Sequence, residues 1–361
     1  MWVYPFIFIV TTGISILCTL FIRRVAFRTH IVDDPTSAPE RKQQREPIPL
    51  LGGWAIYVSV LCGILVSLLV SHLLIDSFLS VRQLVGIVLG GLVLVVGGSI
   101  DDRRSLKAIQ QILFPVGAIL VVIFFGVGVP YITSPFGGVL ILDSVKIPVI
   151  HVGSTVYHVT LWSDLFTFVW LLVLMYATKL LDGVDGLVTG VGVIGSILLF
   201  ILSLTSLVNQ PGTALLAAII AGAFFGFWLF NKHPAKIYLG EGGSVLIGFF
   251  LGLLAIISGA KIATALLILA LPILDVIWVI ITRLRNHQKI WQADRSHLHF
   301  RLQDRGLHPQ AVLAIFYILS FLFGFSALFT QAWVKFVLLL IALLFSIFLL
   351  LFALRKPKER V

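Results

Sequence analysis

The sequence predicts an all-α polytopic membrane protein with about eleven transmembrane helices. Hydrophobic residues form 59% of the chain, charged residues form 12%, and the mean hydropathy is +1.08. A typical soluble domain has about 25% charged residues, roughly twice this fraction. Apolar runs of about 20 residues, the length that crosses a bilayer as a helix, recur along almost the whole chain. We therefore interpret residues 1–361 as one integral membrane domain with no soluble domain attached.

Short polar breaks separate the predicted spans. Their approximate bounds are 2–22, 50–75, 83–100, 112–129, 161–181, 187–208, 213–230, 243–260, 262–282, 310–329 and 333–354. Cys18 and Cys62 both fall within spans, so the sequence predicts neither a disulfide framework nor a cysteine metal site. Between about 130 and 160, short β-branched runs alternate with Gly and Pro, which predicts a small region of one or two β-hairpins on the outer face.

The basic residues predict the orientation in the membrane. Arg23 and Arg24 follow the first span rather than precede it, so we expect the N-terminus outside and the C-terminus in the cytoplasm. With eleven alternating spans, 22 of the 26 Lys and Arg residues lie in cytoplasmic loops. The net charge of +10 then reflects membrane orientation and contact with anionic lipid or phosphate. We expect no nucleic acid partner, because no basic soluble module is present to bind it.

Three acidic clusters interrupt the apolar pattern on the predicted cytoplasmic side. They contain Asp101 and Asp102, then Asp182 and Asp185, and then Glu241. Ionised side chains are costly in hydrocarbon, so acids at the ends of spans suggest a functional site. The alternatives are a polar helix end for the first cluster and a plain turn for the second. In the second cluster, glycines permit a tight turn that points both acids into one space.

Two further motifs add groups that suit phosphate. Residues 231–244 read NKHPAKIYLGEGGS, and the glycines just before a predicted span favour an anion at the helix N-terminus. Tyr238 in this motif either stacks on a base or lies at the membrane interface. Residues 294–302 read DRSHLHFRL, in which His297, His299 and Arg301 offer donors to phosphate oxygens. A zinc site at the two histidines is the alternative, although no third ligand motif accompanies them.

Together these features favour phosphoryl transfer at a membrane surface. Mg²⁺ usually binds through one or two carboxylates together with substrate phosphates. The reaction requires positioning and charge neutralisation more than covalent chemistry. The location in a membrane suggests that one substrate is a lipid.

The order of the motifs resembles that of the polyprenyl-phosphate N-acetylhexosamine-1-phosphate transferases of glycosyltransferase family 4. The resemblance rests on the Asp pair, LLDGVDGL, the 231–244 motif, DR-x-H-x-H-x-RL and an N-terminal RK…PIPLLGG. The histidine motif is more similar to the WecA/TagO branch than to the peptidoglycan translocase branch, MraY. The resemblance implies transfer of N-acetylhexosamine 1-phosphate from a UDP-sugar such as UDP-N-acetylglucosamine to polyprenyl (undecaprenyl) phosphate. The products would be polyprenyl-diphosphate sugar and UMP, in the first membrane step of a cell-envelope polysaccharide pathway.

The resemblance also implies roles for individual residues. The catalytic residues would be Asp101, Asp102, Asp182 and Asp185. The metal, Mg²⁺ or in its place Mn²⁺, would be held by Glu241 and Asp102. The substrates would contact Arg41, Lys42, Arg45, Lys179, Asn231, Tyr238, His297, His299 and Arg301. The implied location is the bacterial inner membrane, with the active site facing the cytoplasm, and a homodimer is left open.

Several positions depart from the family pattern. Glu241 stands where the family has Asp, and Tyr176 and Lys179 replace two asparagines ahead of DGVDG. Gln44 and Phe300 each replace a histidine. The lysines usual after the Asp pair are out of register, so that the nearest is Lys107. Glu241 still offers oxygen ligands, and Lys179 could pair with Asp182 or with a phosphate.

Two other functions remain as alternatives. One is a non-catalytic relative that binds or presents polyprenyl phosphate. The other is a transporter, for which Asp275, inside the ninth predicted span, is the best argument. Transporter acids gather near the middle of the membrane, whereas most acids here lie at one face. We therefore favour a structural pair between Asp275 and a nearby basic or polar group.

Overall fold

The computed structural model describes residues 2–35, 46–76, 78–152, 155–206, 208–259, 261–287 and 297–354. The predicted substrate residues Arg41, Lys42 and Arg45, and also Gln44, lie outside the described residues. The helices are α1 (Val3–Arg28), α2 (Gly52–Val70), α3 (Val81–Arg104), α4 (Ala108–Gln111), α5 (Leu113–Phe124), α6 (Leu161–Leu181), α7 (Leu187–Leu204), α8 (Pro211–Asn231), α9 (Gly240–Ile257), α10 (Ile262–Ile268), α11 (Ala270–Arg285), α12 (Leu298–Asp304), α13 (Pro309–Ser326) and α14 (Ala332–Leu354). The predicted helical membrane architecture is confirmed.

Nine helices in the described part of the chain are long and apolar enough to cross a membrane. A tenth span is possible if α10 and α11 are counted together, although they are bent by 78° where they meet. Pro272 explains this break, because it lacks the N–H that would continue the helix and its ring clashes with the preceding turn. The predicted span 112–129 corresponds to α5, which has only 12 residues. By helix length and composition, the described helices therefore do not reach the eleven full-length spans that the sequence predicts.

Although α5 is short, it returns the chain along α3. The Arg82 guanidinium, at the start of α3, donates to the carbonyl of Phe124, at the end of α5. Beside it, Gln83 Nε2 donates to the Gly126 carbonyl over 3.0 Å. The end of α5 therefore lies next to the beginning of α3, so that the two helices are antiparallel. This return is what allows α6 to end at the same end of the bundle as α3.

The strands form three small antiparallel pairs. The strands are β1 (Val32–Asp33), β2 (Ile48–Pro49), β3 (Tyr131–Thr133), β4 (Val139–Ile141), β5 (Lys146–Val152) and β6 (Thr155–Thr160). β3 pairs with β4 and β5 with β6, so the region predicted to form hairpins does so. The pairing of β1 with β2 was not predicted, because each strand has only two residues and the two are far apart in sequence.

Several chain ends meet at one end of the bundle, which we call the site end: α3 and α6 finish there and α9 begins there. The β1–β2 pair after α1 lies at this end, since the Tyr238 N–H donates to the Pro49 carbonyl over 2.9 Å. The last turn of α14 lies there too, where Arg305 Nε donates to the Ala353 carbonyl over 3.4 Å. α1 ends and α14 ends at the site end, so the first described residues lie at the opposite end. The beginning of α1 and the end of α14 therefore lie at opposite ends of the bundle, as expected when a chain crosses the bundle an odd number of times.

Glycines pack the start of α9 directly against α2 and α3. A Cβ atom on Gly98 would lie 2.1 Å from the backbone of Gly242, and one on Gly53 would lie 2.7 Å from the Gly243 nitrogen. Small residues allow membrane helices to approach this closely. α9 is also the most completely buried of the nine long helices. These contacts bring the end of α3 against the start of α9, where two of the acidic motifs lie.

Candidate active site

Asp102 and Glu241 meet where α3 ends and α9 begins. The backbone N–H of Glu241 donates to Asp102 Oδ1 over 2.9 Å, and a helix N-terminus stabilises a carboxylate in this position. Gly240 has a φ of +69°, and a Cβ atom on it would lie 2.4 Å from Asp102 Oδ2. Glycine at this position therefore permits the turn and keeps the second oxygen of Asp102 approachable.

Asp101 has a different environment from its neighbour. It is buried, and its Oδ1 accepts hydrogen bonds from the Leu106 N–H at 2.8 Å and from Gln111 Nε2 at 3.2 Å. These bonds hold the turn that leads from α3 into α4. The two adjacent acids therefore divide their work: Asp101 organises the turn, and Asp102 faces Glu241.

Lys179 connects the site across three helices. Its ammonium lies 2.7 Å from Glu241 Oε2 and 3.0 Å from Gln111 Oε1. Gln111 thereby joins Asp101 to Lys179 through the two ends of one amide. Sequence reasoning missed Gln111, because a glutamine in a short polar stretch carries no pattern that marks it. The ion pair of Lys179 is with Glu241, and not with the previously considered Asp182.

A narrow cleft lies between these residues and the apolar surfaces of the bundle. It is lined by Leu94, Gly97, Gly98, Asp101, Gln111, Phe114, Pro115, Lys179, Glu241 and Val245. Charged and amide groups form one part of the lining, and apolar groups of α3, α5 and α9 form the rest. Such a surface suits a ligand with a charged head and a hydrocarbon tail.

Asp182 follows the last residue of α6 and carries a strongly perturbed carboxyl group. Its side chain is exposed, but a large amount of protein lies around its carboxyl group. This desolvation, followed by the negative charges of Glu241, Asp185 and Asp102, raises the pKa of Asp182 to about 8. The second acidic motif therefore lies within the electrostatic reach of the other two, as a shared site requires.

Asp185 organises the loop that precedes Glu241. Its Oδ2 accepts the Ala235 N–H at 3.0 Å and lies 2.9 Å from Nδ1 of His233. Asn231 supports the same loop from inside: its Nδ2 donates to the Ile237 carbonyl over 3.0 Å, and its Oδ1 accepts from the Thr189 hydroxyl at 2.6 Å. Since Asn231 is buried, its amide shapes the loop through these contacts.

Tyr238 lies half-buried on the loop beside the β1–β2 pair. Besides the bond from its N–H to Pro49, its carbonyl accepts the Gly52 N–H at 3.1 Å. Burial, and then the charges of Asp185, Asp33 and Asp182, raises the pKa of its phenol above the ordinary value. The hydroxyl therefore remains protonated and can donate a hydrogen bond.

The histidine motif packs on the second acidic motif. His299 is fully buried, and a Cβ atom on Gly183 would lie 2.4 Å from His299 Nε2. The ring of Phe300 lies 4.2 Å from that of His299, and Arg301 follows on α12, half-buried. Glycine in the DGVDG turn is therefore required by contact with this motif as well as by the turn itself.

Asp275 orients the same motif. Its Oδ2 lies 3.0 Å from Nδ1 of His297, and its Oδ1 accepts the Leu298 N–H at 2.8 Å, so Asp275 holds the beginning of α12. The preferred interpretation of Asp275 as a structural pair is confirmed. Within the described ranges, no three His, Cys, Asp or Glu side chains are grouped as a metal site would require. A Mg²⁺ bound by one or two carboxylates and substrate phosphates does not need such a group.

Comparison with known proteins shows which protein family this part of the chain matches. Residues 84–259 match the model of glycosyl transferase family 4. The matched segment extends from α3 to just beyond α9, and thus contains all three acidic motifs.

Curated relatives align over most of the chain. A probable undecaprenyl-phosphate N-acetylglucosaminyl 1-phosphate transferase of Bacillus subtilis is 27% identical, over 94% of this chain and 88% of the relative. A decaprenyl-phosphate N-acetylglucosaminephosphotransferase of Mycolicibacterium smegmatis is 30% identical, over 84% and 76%. A phospho-N-acetylmuramoyl-pentapeptide-transferase of Halalkalibacterium halodurans is 26% identical, over 91% and 96%.

Proposed function

Because this chain belongs to glycosyl transferase family 4, we propose that it transfers N-acetylhexosamine 1-phosphate from a UDP-sugar to polyprenyl phosphate. The names of two relatives given above specify a polyprenyl phosphate and an N-acetylglucosamine phosphate. The observation that carries the proposal is the meeting of Asp102, Lys179, Asp182 and Glu241 at one end of a membrane bundle. Such a cluster can hold a diphosphate where a lipid headgroup reaches it.

The proposed cofactor is Mg²⁺, with Mn²⁺ as a substitute, held by Asp102 and Glu241. The fit is supported by Asp102 Oδ2, because a side chain in place of Gly240 would block access of a metal ion to this oxygen. Glu241 also suits the role, because 40% of its side chain remains exposed while its Oε2 pairs with Lys179. When bound, the metal would supply positive charge to neutralise the diphosphate.

The proposed reaction is a substitution at the phosphorus that carries the sugar. A bond forms from a lipid phosphate oxygen to that phosphorus, the bond to the bridging oxygen breaks, and UMP leaves with that oxygen. A phosphate monoester has a second pKa of about 6, so at neutral pH most of the lipid phosphate is already ionised. Orientation of this oxygen therefore accelerates the reaction more than removal of a proton from it would.

The described residues divide this task among themselves. Asp101 holds the turn at the end of α3, and Asp102 presents its second oxygen to the site. Lys179 brings a positive charge next to Glu241, where it would contact the diphosphate. His299 reaches the DGVDG turn from α12, and Arg301 follows on the same helix. Both would donate to phosphate or sugar oxygens.

We propose that the site end lies on the cytoplasmic side of the bacterial inner membrane, where nucleotide sugars are made. This placement is supported by the bias of lysine and arginine toward the cytoplasm, with only Arg82, Lys146, Lys261 and Lys335 outside. A homodimer remains part of the proposal, and native mass spectrometry of the detergent-solubilised protein would test it.

The direct test uses purified protein with undecaprenyl phosphate, Mg²⁺ and a panel of UDP-N-acetylhexosamines. We expect UMP release and a lipid-linked sugar product with at least one donor, and loss of both in Asp102→Asn. Asp143→Asn, a charge change in the hairpin region, is the matched control. If the wild type binds the lipid but releases no UMP from any donor, the non-catalytic alternative is correct.

A further inference from the structure

The two most notable departures from the family motifs touch each other. Lys179 stands in place of an asparagine and Glu241 in place of an aspartate, and the ammonium of one lies 2.7 Å from Oε2 of the other. Each side chain is longer than the one it replaces, so together they bridge the space between α6 and α9. The contact therefore relates two sequence differences that are 62 positions apart.

This ion pair contributes mainly to the charge of the site. The two side chains are 18% and 40% exposed, and partly solvated ion pairs contribute little to folding stability. The Oε2 atom itself has almost no accessible surface. Lys179 therefore pairs with the buried carboxylate oxygen of Glu241, whereas the exposed surface of the Glu241 side chain belongs to its other atoms.

Gln111 limits where the ammonium of Lys179 can go. Its Oε1 accepts from Lys179 Nζ at 3.0 Å, and its Nε2 donates to Asp101 Oδ1 at 3.2 Å. A charge held from two sides, by Glu241 and Gln111, is a persistent part of the site rather than a mobile surface lysine.

We infer that Lys179 is a built-in counter-ion of the metal-binding carboxylate, which makes divalent-cation binding depend on the nucleotide diphosphate. This inference rests on the proposed function for the metal and the nucleotide. In the free protein, the ammonium repels a divalent cation that shares Glu241. A bound diphosphate brings negative charge that contacts both cations, so the repulsion is offset and the metal binds together with the nucleotide.

The size of the effect follows from Coulomb's law. One unit charge about 5–6 Å from a divalent cation changes cation affinity by about tenfold even in the dielectric of bulk water, and the lower effective dielectric of a protein surface makes the change larger. Removal of the Lys179 charge should therefore strengthen metal binding in the absence of nucleotide. It should also reduce the further gain in affinity that the nucleotide causes.

The test measures Mn²⁺ binding to the full-length protein in detergent by electron paramagnetic resonance, with and without UDP. We expect Lys179→Met to bind Mn²⁺ at least about tenfold more tightly than the wild type without UDP. Addition of UDP should tighten binding more in the wild type than in the variant. Glu241→Gln gives the background of non-specific binding, and Lys179→Arg, which keeps the charge, should resemble the wild type.

Lys232→Met is the matched control, because this exposed lysine lies over the Trp228 ring, 5.3 Å from its centre, rather than on a carboxylate. It should leave the Mn²⁺ affinity unchanged. Equal or weaker binding in Lys179→Met, with a folded protein shown by gel filtration, overturns the inference. So does the absence of any Mn²⁺ binding that depends on Glu241.

The binding measurement separates this inference from the proposed reaction. Mn²⁺ binding that responds to Lys179 and UDP, with no UMP release from any UDP-sugar, supports the counter-ion and rejects the reaction. UMP release together with Mn²⁺ binding that does not change in the Lys179 variants supports the reaction and rejects the counter-ion.

Discussion

Glu241 joins more parts of the site than any other described residue. Its backbone N–H bonds to Asp102, its carboxylate pairs with Lys179, and its charge contributes to the raised pKa of Asp182. The glycines on either side leave the backbone free to accommodate a side chain one methylene longer than Asp. A change at this residue should therefore separate a metal-binding carboxylate from a spacer.

Glu241→Gln should abolish Mg²⁺-dependent UMP release, whereas Glu241→Asp should retain part of it. Gln keeps the size but loses the charge, and removal of a charge-stabilising group commonly costs a hundredfold or more in rate. The measurement is the rate of UMP release over a range of Mg²⁺ concentrations. Normal turnover in Glu241→Gln would mean that the metal lies elsewhere.

Asp182 should make the stability of the protein depend on pH. Its folded-state pKa of about 8 lies above the ordinary aspartate value of 3.8, so between these two values of pH the folded protein retains a proton that the unfolded chain has lost. Stability attributable to this group therefore falls as pH rises from about 4 through 8. The neutral variant Asp182→Asn should melt at a higher temperature than the wild type at pH 9, with little difference at pH 4.

Thermal melts in metal-free detergent buffer measure this effect. Asp143→Asn, in the hairpin region, is the control, and we expect its melting temperature to follow that of the wild type at both values of pH. An equal difference between Asp182→Asn and the wild type at pH 4 and pH 9 would show that ionisation of Asp182 is not the cause.

At the scale of elements, the site depends on how closely α3 approaches α9. The backbones touch at Gly98 and Gly242, one turn before the Asp pair and one residue after Glu241. The position of Asp102 relative to Glu241 is thus set by helix packing as well as by local loop structure. Substitution of one of these glycines tests the packing without any change in the acids.

Gly98→Ala should lower both stability and activity. The added Cβ would lie 2.1 Å from the Gly242 backbone, so the two helices must move apart, and overpacking of this kind costs about 1–3 kcal/mol. Gly117→Ala on α5 is the matched control, since its Cβ would meet its nearest neighbour at 3.6 Å. Melting temperature and UMP release check both variants, and a normal Gly98→Ala protein would contradict the packing argument.

A second element-scale feature links α12 to the acidic turn after α6. Asp275 holds the first turn of α12, and the motif on that helix reaches Gly183. α12 has only seven residues, so its placement depends on this tertiary contact rather than on its own helical stability. His297 therefore acts through its pair with Asp275, whereas His299 lies against the DGVDG turn.

At the scale of the whole molecule, the site end lies on the opposite side of the bundle from the β3–β4 and β5–β6 hairpins. We propose that the site end faces the cytoplasm. Single cysteines at Ser105 and at Ser144, in a background without Cys18 and Cys62, test this orientation. In intact cells a membrane-impermeant thiol reagent should label Ser144→Cys and should leave Ser105→Cys unmodified.

Permeabilised cells provide the control, because both exposed positions should then react. Labelling of Ser105→Cys from outside would place the acids on the outer face, where cytoplasmic UDP-sugars are absent. It would contradict the proposed reaction even though the residues of the site remain together.

Most of the architecture could be read from the sequence, because it depends on local and periodic properties. A hydrocarbon environment demands long apolar helices, so composition and run length predicted the membrane helices. Short β-branched runs between Gly and Pro predicted a hairpin region, which contains the β5–β6 pair. The acids were recognisable for the same reason, since an ionised group interrupts an apolar run. Asp275 was correctly interpreted as one member of a structural pair.

The contacts that define the site depended on tertiary packing. Gln111, the Lys179–Glu241 pair and the approach of Gly183 to His299 each join residues from separate helices. Nothing local to Lys179 distinguishes Glu241 from Asp182 as its partner. Side chains distant in sequence meet only when helix backbones pack at particular depths and angles, and those follow from the fit of many surfaces at once.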